Sequence, residues 1–142
     1  MKILLNVGST LLWVSFLVGY SFAQDGNDLL GTYWTPDRDG QIQIYQQGGS
    51  YYGKLIWGKT DQDKDVKNPN PSLRNRVLKG IVLFKNFSFE AGSKTWKKGI
   101  IYNPEDGKNY DAVIWKEDGN LKVRGYIGFS LFGVTKTFAR VE

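Results

Sequence analysis

After residue 28 no stretch keeps a helical period for three turns. Short runs of β-branched and aromatic residues recur instead, separated by turn dipeptides. This pattern constrains the fold most. It predicts eight strands, at Gly31–Thr35, Gln41–Gln47, Tyr51–Lys59, Lys79–Phe89, Thr95–Tyr102, Asn109–Glu117, Leu121–Ile127 and Val134–Val141. Asp39-Gly40, Gly48-Gly49, Pro104-Glu105-Asp106-Gly107 and Asp118-Gly119 supply turn residues that tolerate positive φ, so sequential strands are antiparallel neighbours. With no helix to cover a sheet face, an all-β, antiparallel, up-and-down eight-stranded barrel is favoured over an open sheet, with a sandwich as the alternative. In a closed barrel the first strand pairs with the last.

Pairing across the turns sorts the faces. A two-residue turn at Asp118-Gly119 sets Ile114 opposite Val123, Ala112 opposite Gly125 and Tyr110 opposite Ile127. The other face carries Trp115, Val113, Asp111, Lys122, Arg124 and Tyr126, with Asp111 diagonal to Arg124 as a structural ion pair. At Gly48-Gly49 the same exercise puts Ile42, Ile44, Leu55 and Trp57 inside and Gln43, Lys54, Tyr45 and Tyr52 outside. An eight-stranded barrel is either filled by its own side chains or holds one small ligand, and alternation alone does not choose.

Composition removes several kinds of chemistry. The chain has no histidine and no cysteine, which excludes disulfides, thiol nucleophiles, Ser-His pairs and metal sites built on those residues. No catalytic set, cofactor or metal is expected. The acidic pairs Glu105-Asp106 and Glu117-Asp118 each precede a turn glycine, which is ordinary turn composition. Asn86-Phe87-Ser88 matches a glycosylation sequon and is read as idle. The net charge of +5 comes from basic residues spread along the chain rather than from a stripe, so no nucleic-acid partner is expected.

Residues 1–23 read as a secretory signal peptide. Lys2 precedes the apolar run Leu11–Val18, and Ser21-Phe22-Ala23 offers a cleavage site before Gln24. The apolar core is short and interrupted for a full span, so no membrane span is expected after cleavage. The mature chain, 24–142, is then a single exported barrel domain, expected as a monomer.

One segment breaks the strand rhythm. Thr60 to Val77 is longer than a hairpin needs, and such loops are functional or mobile. Its start, Asp61 to Asp65, resembles a calcium loop but lacks the later Gly and Glu, and that match fails. Asn70 can cap a short turn with Pro71 at its first position, leaving Arg74 and Arg76 near a barrel mouth. The plainer reading is that both tie the loop to backbone carbonyls and nearby Asp residues; the alternative is that one anchors the loop while the other faces the mouth, where it could hold a carboxylate or phosphate.

The strings Gly31-Thr32-Tyr33-Trp34-Thr35-Pro36-Asp37, Tyr52-Gly53-Lys54-Leu55-Ile56-Trp57, Asp65 to Arg76, Ile101 to Tyr110 and Leu121 to Gly128 closely resemble the small exported bacterial proteins grouped as domain of unknown function 2147. The resemblance implies a lipocalin-like (calycin-like) barrel in the envelope of a Gram-negative bacterium, periplasmic or secreted, with no established activity. Many members carry Cys near the positions of Gln47, Tyr52 and Tyr126, which this chain lacks. A weaker resemblance is to lipocalins, whose Gly-x-Trp packs under a C-terminal Arg. Here Gly31 and Trp34 are one residue further apart, so Tyr33 or Trp34 could be the inward ring beneath Arg140.

These readings give two expectations. The first is a periplasmic binding module for a small hydrophobic or amphipathic, lipid-like ligand, with Trp34, Trp57, Asn68, Arg74, Asn75, Arg76 and Tyr110 as ligand-binding residues and Gly31, Asp111, Arg124 and Arg140 as structural ones. The alternative is an envelope interaction or stress protein that contacts glycan or protein through its outer face and the 60–77 loop.

Overall fold

The computed structural model describes residues 25–60, 62–128 and 133–142, so the signal peptide expected at 1–23 lies outside the described residues, as does Asp61 of the acidic stretch. Eight strands follow in chain order: β1 (Gly31–Trp34), β2 (Gly40–Gln47), β3 (Ser50–Gly58), β4 (Val82–Glu90), β5 (Thr95–Asn103), β6 (Lys108–Glu117), β7 (Asn120–Tyr126) and β8 (Val134–Phe138). Each pairs antiparallel with the next in a single sheet, which removes the two-sheet sandwich. The sheet nearly closes on itself. Tyr33 bridges Arg140, the Trp34 N–H donates to the Ala139 carbonyl at 2.7 Å, and the Val141 N–H donates to Thr32 at 2.9 Å. Closure therefore runs through the chain just past β8 rather than through β8 itself.

Two turns fix the register as their composition predicts. Gly48 and Gly49 have φ of 57° and 80°, and Asp118 and Gly119 have 52° and 79°, the paired positive values of a turn that matches strand twist. Ile114 then faces Val123, Ala112 faces Gly125, and Ile42 faces Leu55. Two expected placements are corrected. A bulge between Gln41 and Ile42 adds a residue on β3, so Trp57 pairs with Gln41 and turns to the outer face, 37% exposed. β7 ends at Tyr126 opposite Asp111, and Ile127 beyond it is exposed rather than facing Tyr110 inside.

The up-and-down order gives the barrel two different ends. At one end the 3-10 turn Gly26–Leu29 folds across the opening, capped by Asp25 through the Asn27 N–H. Four side chains bind it. Trp96 Nε1 donates to the Gly26 carbonyl at 3.0 Å, the Tyr33 hydroxyl to Leu29 O at 3.1 Å, the Tyr51 hydroxyl to Asn27 Oδ1 at 2.9 Å, and Lys116 Nζ to Asp28 O at 3.0 Å. Burial, together with the charge of Arg140, pulls the Lys116 ammonium below its usual pKa. Below this plug Trp96, Tyr33, Phe87, Ile114 and Leu121 are fully buried. The connections β1–β2, β3–β4, β5–β6 and β7–β8 stand at the other end.

Candidate functional site

At that second end the barrel is hollow. A cavity of about 700 Å³ opens there, within the usual range for small-molecule sites. Ile42, Leu83, Phe84, Val123 and Phe138 form its apolar wall. Asp37, Asp39, Asp63, Lys79 and Glu105 line it from the turns and the β3–β4 connection, giving an apolar chamber with a charged lip.

Of the residues expected to bind a ligand, only Tyr110 lines this cavity. Its register partner Ile101 also lines it, and its hydroxyl donates to Asp106 Oδ2. That hydrogen bond, with burial, raises the Tyr110 pKa. Burial would raise Asp106, but the Tyr110 hydroxyl and the Lys108 N–H outweigh it and hold the carboxyl below its usual range.

Trp34 and Trp57 lie outside the cavity lining. Their rings meet edge to face at 5.7 Å, and the Arg38 guanidinium lies 5.8 Å from the Trp34 centroid. Tyr33 is the inward ring, fully buried, and Arg140 stands over it at 5.9 Å instead of over Trp34. Gly31 makes room for that arginine. Its φ of 143° suits glycine, and a Cβ there would come within 3.3 Å of an Arg140 guanidinium nitrogen. Asp111 pairs with Tyr126, diagonal to Arg124 on Val113, while Arg124 Nη1 lies 3.4 Å from the Thr135 hydroxyl.

The loop residues have a different place from the one expected. Asn68, Arg74, Asn75 and Arg76 do not line the cavity. Arg74 Nε donates to the Asn68 carbonyl at 2.8 Å, and Arg76 is paired with Asp65 through Nε and Nη2, both at 2.9 Å. Neither faces the mouth as the ligand-site reading has it; one binds a backbone carbonyl and the other a nearby Asp, as the plainer reading expects. Asn75 is exposed. Asn70 caps the 3-10 turn Pro71–Leu73 through the Ser72 N–H, with Pro71 in its first turn, in the predicted way.

Asp65 organises this loop. It is fully buried and accepts from Arg76, from Asn68 Nδ2 at 2.8 Å, and from the Tyr102 hydroxyl of β5. Burial would raise its pKa, but the hydrogen bonds from Tyr102, Asn68 and Arg76 outweigh that and lower it. Burial and the Asp65 carboxylate push Tyr102 up to about 12. The loop also packs against the β5–β6 turn at Gly107, whose φ is 70°. A Cβ there would sit 1.9 Å from the Lys67 carbonyl oxygen. The motif Asp65-x-x-Asn68-Pro69-Asn70-Pro71 to Arg76 is thus a device that fastens the long connection beside the cavity mouth.

Two residues that matter here escaped the sequence reading. Asp65 has no singled-out role in the sequence beyond the failed calcium loop and a nearby Asp for the loop arginines, and its partner Tyr102 is 37 residues away. Lys136 was also passed over, although the alternation Val134-x-Lys136-x-Phe138 puts it in the inward row of β8. Its register partner is the buried Val123, and it lines the cavity.

The sequence model of a family described as an uncharacterised protein conserved in bacteria, DUF2147, matches residues 31–140. The chain belongs to this family. The match spans the barrel from β1 to Arg140, whose bridge to Tyr33 closes it. Among solved structures it is similar to protein HP1028 from Helicobacter pylori, described as belonging to the lipocalin family. The two share 30% identity with a TM-score of 0.72, over 80% of this chain and 83% of that one. No curated protein matches the chain. The fold is therefore a lipocalin-like barrel of an uncharacterised family. Among the described residues no helix is long and apolar enough to cross a membrane.

Proposed function

We propose that this DUF2147 protein is an exported binding module that takes a small, partly apolar, lipid-like ligand into the open end of its barrel. One observation carries the reading: the cavity of about 700 Å³ has an apolar wall below a charged lip. That arrangement suits a ligand with an apolar body and a polar end, because the wall offers little for an internal polar group to bond. The signal-peptide pattern of residues 1–23 supports a periplasmic or secreted setting. The lipocalin-like fold supports small-ligand binding, since barrels of this size accommodate one small ligand.

The ligand's polar end meets charged residues that line the cavity and not Arg74 or Arg76, which are engaged within their own loop. The alternative, contact with glycan or protein through the outer face, draws on the aromatic pairs Trp34–Trp57 and Tyr45–Tyr52, in which Trp57 is exposed and the other three rings are half-buried. Native mass spectrometry of protein prepared from cell envelopes, then delipidated and mixed with dodecanol, tests the leading reading. A one-to-one adduct, with envelope lipid and again with dodecanol, is expected. Protein that carries no adduct in either preparation would leave the outer face as the better reading.

A further inference from the structure

The charged groups that line the cavity fall into two sets. Asp37, Asp39, Asp63, Lys79 and Glu105 stand on turns and on the β3–β4 connection. Lys136 alone among the charged lining residues belongs to a strand. On β8 the outward residues Thr135 and Thr137 pair with Arg124 and Lys122, and both threonine hydroxyls meet those side chains. Val134, Lys136 and Phe138 alternate with them, opposite Gly125, Val123 and Leu121. Lys136 is therefore one row inside the mouth, between Val134 above and Phe138 below.

A lysine in an inward row is costly unless its ammonium reaches water or an anion. Lys136 is exposed to the open cavity, and among the described residues it has no carboxylate within ion-pair distance. The lip carboxylates of Asp37, Asp39 and Glu105 instead cluster with one another, their oxygens all within 4.8 Å. An anion is thus disfavoured at that part of the lip and favoured one row further in.

We infer that Lys136 selects an anionic amphiphile, its ammonium holding a carboxylate just inside the mouth while the apolar body packs on Phe84, Val123 and Phe138. This rests on the reading of the cavity as a ligand site. The chemistry it needs is a single negative group at the end of an apolar chain. An ammonium and a carboxylate make a charge-assisted hydrogen bond, and partial shielding by the cavity wall strengthens it relative to the surface.

Dodecanoate, dodecanol and dodecyltrimethylammonium, each titrated calorimetrically into the purified chain, separate this inference from the reading beneath it. Dodecanoate is expected to bind tightest. Lys136→Met should weaken dodecanoate about tenfold and leave dodecanol within about twofold, and Lys136→Arg should restore most of the loss. Thermal melting of both variants should match the parent, since among the described residues the Lys136 side chain makes no hydrogen bond or ion pair. If Lys136→Met binds dodecanoate like the parent, or the cationic amphiphile binds as tightly as dodecanoate, the inference falls while the cavity reading stands. If neither dodecanol nor dodecanoate binds the parent, both fall together.

Discussion

The two ends of this barrel are built from the same strands and do opposite things. At the plugged end the Gly26–Leu29 turn covers the opening, and Trp96, Tyr33, Tyr51 and Lys116 each hydrogen-bond to it. Large rings fill the space beneath: Phe89 and Trp96 lie 4.9 Å apart, and Tyr51 meets Trp96 edge-on. At the open end the wall is mostly aliphatic and phenyl side chains with Lys136 among them, the lip is charged, and a cavity of about 700 Å³ opens between them. The lesson is a division of labour. Closing one end supplies the buried area and ordered hydrogen bonds that stabilise the fold, so the other end can leave apolar surface facing a void, which by itself destabilises a core.

The largest expected effect tests that division directly. Trp96→Ala removes a fully buried indole and its bond to Gly26, and should cost about 3–5 kcal/mol in denaturant unfolding. Leu55→Ala, at a half-buried position that already borders the cavity, should cost clearly less, about 1–2 kcal/mol, because its neighbours lose little packing. Equal losses at the two sites would erase the distinction between the ends.

The next test concerns the fastening of the long connection beside the mouth. Asp65→Ala leaves Tyr102, Asn68 and Arg76 without their shared acceptor, and should cost about 2–3 kcal/mol. Its pH dependence has a fixed direction. Tyr102 has a folded pKa of about 12 against an ordinary 10.0, so its contribution is full below pH 10 and is lost as pH rises towards 12. Asp65 has a lowered folded pKa, so its contribution is full above its ordinary 3.8 and is lost as pH falls through the lower folded value. Tyr102→Phe should lessen the alkaline part of the decline in melting temperature, the remainder belonging to Tyr33, Tyr51 and Tyr110, whose pKa values are also raised. A variant that declines between pH 10 and 12 as steeply as the parent would show that Tyr102 does not carry it.

How far these features could be read from the chain differs in the same way between the two regions. The strands, the barrel order and the pairing at the two tight turns were legible, because alternation has a period of two and each turn fixes a register locally. Trp57 was misplaced because a bulge shifts every residue beyond it, and nothing in the sequence marks the extra residue opposite Gln41. The buried Asp65 and Tyr102 and the half-buried Arg76 form one cluster from positions without a shared local period, so no pattern could join them. Lys136 was legible from its place between Val134 and Phe138, but a lysine in a strand reads first as a solvated side chain. The cavity itself was not legible, since volume depends on which rings fill which layer.

A smaller effect tests closure near the plug. Arg140→Ala removes the guanidinium above the buried Tyr33 ring and should lower stability by about 0.5–2 kcal/mol, with ligand binding at the far end unchanged. A melting temperature equal to that of the parent would show that the contact contributes nothing to closing the barrel.

Gly125 offers the most direct test that the open end is a binding chamber. It lines the cavity, and among the described residues a Cβ there would meet only Tyr110, at an ordinary 3.6 Å. Gly125→Phe therefore fills the chamber with little strain in the wall. Dodecanol titrated calorimetrically at several temperatures should bind the parent one to one with a negative heat-capacity change, the mark of apolar burial. In Gly125→Phe, folded as judged by melting, that binding should be lost. A Gly125→Phe protein that binds dodecanol as the parent does would place the ligand elsewhere on the molecule and contradict the account.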